Sequence, residues 1–289
     1  MTGRLRLLVA ESEPPEAREK RRASVGRSSG ETFLATIEEL APGAICHRVK
    51  PADAGAELPR GEALAGYDGV FLTGSPLHLY EETPETTREV AFMREVFASG
   101  TPSFGSCAGL QVATVAAGGR VRRSARGGEA GFARRIMPTE AGRDHPLLAG
   151  RPAVYDAPAI HSDEVEALPE GGCLLASNRV TRVQAAEIRS GEGTFWGVQY
   201  HPEISLFEVA AALRRQADGL IEEGFASAEA DVETHAALIE SLHAEPWRRD
   251  IAWRLGLDEE ITEPGRRLVE LRNFLEALVL PTRSRRGRG

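Results

Sequence analysis

Residues 102–113 read Pro-Ser-Phe-Gly-Ser-Cys-Ala-Gly-Leu-Gln-Val-Ala, and the fold turns on how this stretch is taken. A short strand-like segment, "TPSFGSC", runs into "AGLQVATVAAGG", a helical pattern closed by glycines. Cys107 stands at the junction. Either it is a small buried hydrophobe at a tight turn, or it is a nucleophile on a G-x-nucleophile-x-G elbow, thrust above the end of a sheet. Gly105 and Gly109 fit the elbow, because a Cβ would clash in so tight a turn. A helix N-terminus behind the sulfur favours the thiolate.

The flanking sequence supplies the sheet. Leu5 to Ala10 reads as a buried strand, "TFLATIEELA" as a helix, "AICHRV" as a strand and "YDGVFLTGSP" as a strand ending in a turn. Residues 85–98 form an amphipathic helix with Val90, Met93, Val96 and Phe97 on one side. Strand and helix in alternation predict a parallel sheet wrapped by helices, with ligands gathered at the carboxyl ends of the strands. "LTGSP" and "FGSCAG" both fall at such ends. From about 120 to 200 the segments are strand-like ("GCLLAS", "VTRVQAAEI", "TFWGVQY"); after Ser205 the pattern is helical. The expected organisation is an α/β domain over 1–205, a helical extension over 206–280 packed on or beside it, and a disordered basic tail over 281–289. Residues 11–31, rich in Glu, Arg, Ser and Gly, read as a long exposed loop, either a lid or plain surface.

Composition narrows the function. A net charge of −8 argues against a general nucleic-acid or acidic-membrane surface. No apolar run approaches the roughly 20 residues that span a bilayer, and the N-terminal apolar patch is too short for a signal peptide, so a cytoplasmic protein is expected. Cys46, Cys107 and Cys173 are odd in number and widely spaced, which suits neither a disulfide framework nor a zinc knuckle. No HExxH, HxH or GxxxxGK[ST] pattern occurs, so no metal, nucleotide or other cofactor is expected.

A thiolate nucleophile needs a base, and the base an orienting group. In "GVQYHPEIS" an apolar strand leads to His201 and, two residues on, Glu203, which would hold the imidazole tautomer and stabilise the imidazolium. The Ala108 amide is one natural oxyanion donor, and the Gly74–Ser75 turn offers a second.

Taken in order, "LTGSP", "GSCAGLQ", "IHSDEV" and "FWGVQYHPE" resemble class I (triad-type) glutamine amidotransferases over about residues 5–205, as a stand-alone member similar to the GMP synthase amidotransferase domain. The resemblance implies a flavodoxin-like, mostly parallel sheet flanked by helices. It also implies a Cys-His-Glu triad that hydrolyses the side-chain amide of L-glutamine to glutamate and ammonia through a γ-glutamyl thioester. By position, Cys107 is the nucleophile, His201 the general base and acid, and Glu203 its partner, with the amides of Ser75 and Ala108 as the oxyanion hole. Gly74, Gln111 and the His161-Ser162-Asp163 loop correspond to substrate contacts, a structural loop role for His161 standing beside that reading. The family's Gly-Gly-Pro turn is Gly74-Ser75-Pro76 here, and a serine serves because the donor is a backbone N–H.

No synthase domain accompanies these motifs, and the helices after Ser205 are too short to be one. An ammonia-accepting synthase partner, a γ-glutamyl hydrolase acting on a γ-glutamyl amine or peptide, and a regulatory module with a partner-dependent triad are the functional readings this leaves. For the last, Trp247, Trp253, Leu255 and Leu257 form either a docking face or part of the packing against the core.

Overall fold

The structure, a computed structural model, describes residues 3–288. Five parallel strands form one half of a nine-stranded sheet, in the order β2 (Ile45–Val49), β1 (Arg6–Ala10), β3 (Gly69–Leu72), β4 (Ser103–Ser106) and β11 (Gly193–Val198). The sheet continues antiparallel through β10 (Ala185–Ser190), β9 (Gly172–Ser177), β6 (Glu129–Pro138) and β7 (Tyr155–His161). A separate ribbon pairs β5 (Arg120–Arg123) with β8 (Asp163–Ala167). The parallel half has the flavodoxin-like order expected from the sequence. Its inner strands β1, β3, β4 and β11 are buried on both faces, which is why they read as apolar runs rather than alternating ones, whereas β2 is the exposed edge.

Two helical layers bury the parallel strands. On one face lie helices Pro84–Ala98 and Ala108–Ala116, with Val90, Met93, Val96, Phe97 and Leu110 in a common core with Leu8, Val70 and Leu72. Pro84 opens the first of these helices behind a Thr83–Thr86 capping box, which satisfies two of its orphan N–H groups. On the other face, helix Ser29–Leu40 shares the cover with the C-terminal helices. Phe274 inserts its ring 5.1 Å from Phe71 and 5.7 Å from Phe104, so the last helices complete the core. A buried polar clamp fixes them: Arg151 donates to both oxygens of Glu270 at 2.7 and 2.8 Å and to Glu260 at 2.7 Å, and the Tyr200 hydroxyl donates to Glu270 at 2.8 Å.

Three expectations are corrected. Residues 11–31 are not a loop: Glu11–Glu13 are buried, Pro15–Val25 is a helix, and Ser29 opens the next one. This helix lacks an apolar face, and is held instead by Arg18–Asp53 and Arg21–Glu208 ion pairs. The basic tail is not loose either. Leu280–Arg285 is helical, Arg283 is buried beside Asp68, and Arg288 donates to the Ala65 carbonyl at 2.6 Å; Gly289 lies outside the described residues. Finally, Leu255 and Leu257 join the core of the helical layer, while Trp247 and Trp253 are 71% and 82% exposed, so the four form no single face. Among the described residues no helix is long and apolar enough to cross a membrane.

Candidate active site

Cys107 sits between β4 and helix Ala108–Ala116 at φ 51°, ψ −112°, a conformation that non-glycine residues seldom adopt. Its N–H donates to the Val198 carbonyl at 2.8 Å, pinning the elbow to β11. The flanking glycines are required by close approach. A Cβ on Gly105 would fall 2.8 Å from the Gly109 carbonyl carbon, and one on Gly109 would fall 2.7 Å from the Leu72 carbonyl oxygen. The strand, the helix and the neighbouring strand therefore meet backbone to backbone beneath the sulfur.

His201 follows β11 and is anchored by its own N–H to the Pro158 carbonyl at 2.7 Å. Its Nδ1 is 2.8 Å from Oε1 of Glu203, which leaves Nε2 to face Cys107. Burial opposes a charged imidazole here, but the Glu203 carboxylate and then Cys107 outweigh it and raise the His201 pKa to about 10, which favours the imidazolium at neutral pH. Gly74 lies against it: a Cβ at that position would be 2.6 Å from His201 Cε1. Gly74 thus makes room for the ring as well as forming the turn after β3.

Of the two expected oxyanion donors, Ser75 lines the cavity with Cys107 and Ala108 follows Cys107 in the chain. Ala108 opens the helix, where the first N–H groups lack intrahelical acceptors. Ser75 has no backbone acceptor for its N–H among the described residues, and its hydroxyl accepts from the Leu77 N–H at 3.2 Å.

In the "HSD" loop, His161 takes the structural role that stood beside substrate contact in the sequence reading. Both ring nitrogens of His161 are bonded within the protein, Nδ1 to the Asp163 carbonyl at 2.9 Å and Nε2 to Glu129 at 3.0 Å, with the side chain 2% exposed. The imidazole is a brace for the loop and offers a ligand no nitrogen. Asp163 pairs with His78 at 2.6 Å, and Gln111 donates to the Asp163 carbonyl and to Gln199, each at 3.3 Å. Ser162, Asp163 and Gln111 nevertheless line the same cavity as Cys107 and His201.

Sequence reading missed Ser106, Glu129 and His78. Ser106 donates to Oε1 of Glu203 at 2.8 Å, sharing that oxygen with His201. Only its place beside the nucleophile marks it. Glu129 accepts from His161, Asn178 and Thr181; burial works against its charge, yet these donors hold its carboxyl below the usual range. Nothing local in the sequence signals it.

The cavity encloses about 580 Å³ and extends from Cys107 to helix Pro15–Val25 and the end of helix Leu206–Arg215. Most charged groups along it are paired: Lys20 with Glu16, Arg21 with Glu208, His78 with Asp163, His161 with Glu129. Glu13 and Arg215 have no ion-pair partner among the described residues, although the Glu13 carboxylate accepts from the Ser29 N–H and Arg215 donates to the Ser24 hydroxyl. Among the described residues no three metal-ligating side chains converge.

The chain has relatives among known proteins. A γ-glutamyl-L-1-hydroxyisopropylamide hydrolase from a Pseudomonas species is 37% identical over 291 aligned positions, covering 98% of this chain and 96% of that protein. A glutamine-hydrolysing GMP synthase subunit from Methanoculleus marisnigri is 32% identical over 58% of this chain and 82% of its own length. In fold, a glutamine amidotransferase from Thermotoga maritima superposes with a TM-score of 0.65 over 96% of this chain and 99% of its own, at 18% identity. The family model for class-I glutamine amidotransferases matches residues 43–216, and with that match the chain belongs to this family.

Proposed function

We propose that the protein hydrolyses γ-glutamyl amides through a Cys107–His201–Glu203 triad, and that its preferred substrates carry a substituted amine rather than free ammonia as leaving group. The chemistry rests on one observation: a half-buried imidazole, hydrogen-bonded to Glu203, shares a cavity with a cysteine on a strained elbow. The Cys107 thiolate attacks the γ-carbonyl carbon, and the amides of Ser75 and Ala108 receive the negative charge that develops on its oxygen. As the tetrahedral intermediate collapses, the C–N bond breaks and His201 passes its proton to the departing amine. Neutral His201 then takes a proton from water, the resulting hydroxide attacks the thioester, and glutamate leaves as the thiolate and imidazolium are restored. Gln111, Ser162 and Asp163 line the glutamyl side of the cavity in this reading.

Support for a substituted amine comes from the relative aligned over nearly the whole chain, whose name specifies an N-substituted γ-glutamyl amide, and from the extent of the cavity beyond Cys107. Glu13 and Arg215 furnish polar partners for such an amine. A second reading, glutamine hydrolysis with ammonia delivered to a synthase partner, draws on the GMP synthase relative. The cysteines are all free, which suits a reducing cytoplasmic compartment. Turnover of L-glutamine, γ-glutamyl-alaninol and γ-glutamyl-alanine by the purified chain separates these readings. Preference for the substituted amides, abolished in Cys107→Ala, is the expected result. A preference for glutamine that appears only with a synthase present would replace it with the second reading.

A further inference from the structure

Behind the Glu203 carboxylate, on the side away from Cys107, lies a second cavity of about 310 Å³ between helices Ser29–Leu40, Leu206–Arg215 and Pro264–Arg267. Two buried polar atoms on its wall have no hydrogen-bond partner: Oε2 of Glu203 and Nε of Arg267. Both side chains are more than nine-tenths buried, at 6% and 8% exposure. Oε1 of Glu203 is already shared between His201 and Ser106, which leaves Oε2 as the buried oxygen without a partner. An unmatched acceptor and an unmatched donor on one wall are costly unless each offsets the other.

The charges around this space single out one cation. Glu208 faces the cavity but is neutralised by Arg21 at 3.0 Å and accepts from Thr32 at 2.6 Å. Arg27, Glu39 and His243 sit at the exposed mouth. His201 and Cys107, the other triad members, line the active-site cavity, to which Glu203 also contributes. Arg267 alone is buried, positively charged and without a carboxylate in salt-bridge contact; its Nη1 donates to the Ile261 carbonyl at 3.1 Å. Burial pushes its pKa down, while the carboxylates of Glu208, Glu39 and Glu203 act in the opposite direction.

We propose that Arg267 is a positioning residue for the triad: its guanidinium, delivered by the C-terminal helices, is the countercharge that keeps the Glu203 carboxylate turned toward His201. This rests on the triad reading above. It gives the helices after Ser205 a part in the chemistry, since they carry the one buried cation behind the base. Without that countercharge Glu203 holds His201 less firmly, so its removal moves the alkaline limb of Cys107 reactivity to lower pH, the direction in which loss of the Glu203 charge moves it.

The test is the pH dependence of Cys107 alkylation by iodoacetamide, read site by site by mass spectrometry so that Cys46 and Cys173 do not contribute. No substrate need be known. In Arg267→Gln, the alkaline limb is expected to fall by about half a pH unit or more, while Arg267→Lys keeps the parent profile. Arg267→Met, which preserves the packing of the stem, replaces the glutamine variant should that one not fold. A purely structural Arg267 would lower the melting temperature or the amplitude and leave the limbs in place; superimposed profiles in the folded neutral variant overturn the proposal. Failure of the triad reading has a different signature, namely a parent profile that His201→Ala and Glu203→Gln leave unchanged.

Discussion

Ser106 and His201 meet at one atom, Oε1 of Glu203, each at 2.8 Å. The residue before the nucleophile thus holds the carboxylate that orients the base, so the β4 elbow that carries Cys107 is tied to the segment after β11 that carries His201 and Glu203. A hydrogen bond to a buried carboxylate contributes about 1.5–3 kcal/mol. Ser106→Ala is expected to lower kcat roughly tenfold to a hundredfold with KM little changed, because the loss falls on the orientation of His201 and not on substrate contacts. Steady-state kinetics on the best γ-glutamyl amide check this; a rise in KM at constant kcat would place Ser106 in substrate binding instead.

Gly74 makes a separate demand. A methyl group there would lie 2.6 Å from His201 Cε1, closer than real Cβ contacts allow, and the ring is confined on its other side by Glu203. Gly74→Ala is expected to swing the imidazole away from Cys107 and cut kcat/KM by two orders of magnitude or more, about 3 kcal/mol in the transition state. Cys107 alkylation at neutral pH falls in parallel as the imidazolium leaves the sulfur. A variant with near-parent activity would mean that the ring has another place to stand.

Much of this was legible beforehand, for definite reasons. The inner parallel strands are buried and short, so they stand out as apolar runs, and the elbow shows because Gly105 and Gly109 are forced by backbone contact. Helix Pro15–Val25 did not show, because periodicity registers only apolar residues. This helix buries Arg18 against Asp53 and Arg21 against Glu208, partners 35 and 187 positions away. The bracing of His161 by Glu129 was hidden likewise, since pairing β6 with β7 is what brings them together. The basic tail misled for the opposite reason: a charge run reads as solvated, whereas Arg283 lies beside Asp68 at the foot of β3.

Activity should be broad on the alkaline side. The His201 pKa is raised, so the imidazolium that pairs with the thiolate persists from neutrality until the pH passes about 10. The stability contributed by its partners is fully present below the ordinary histidine value and is lost as the pH climbs through that same point. Glu203→Gln removes the main force holding the proton. Its alkaline limb of Cys107 alkylation is expected to fall by a pH unit or more; an unmoved limb would assign the shift to something other than Glu203.

The last prediction concerns stability rather than turnover. Glu89 is wholly buried, its carboxyl accepting from the Ser12 hydroxyl at 3.1 Å, and the Ser12 N–H in turn donates to Thr73, next to Gly74. Burial drives its pKa up to about 7 against the pull of Ser12. Because the folded state favours the protonated acid, its contribution is fully present below the ordinary carboxylate range and is lost as the pH rises through about 7. Glu89→Gln keeps the shape and the hydrogen-bonding capacity without the charge. It is expected to leave the melting temperature near that of the parent at pH 5 and to raise it at pH 8, the difference reflecting up to about 3 kcal/mol. Thermal denaturation at the two pH values decides the matter. Equal destabilisation at both would mean that the carboxylate is ionised and paired in the folded protein, with Arg88 the nearby cation to examine next.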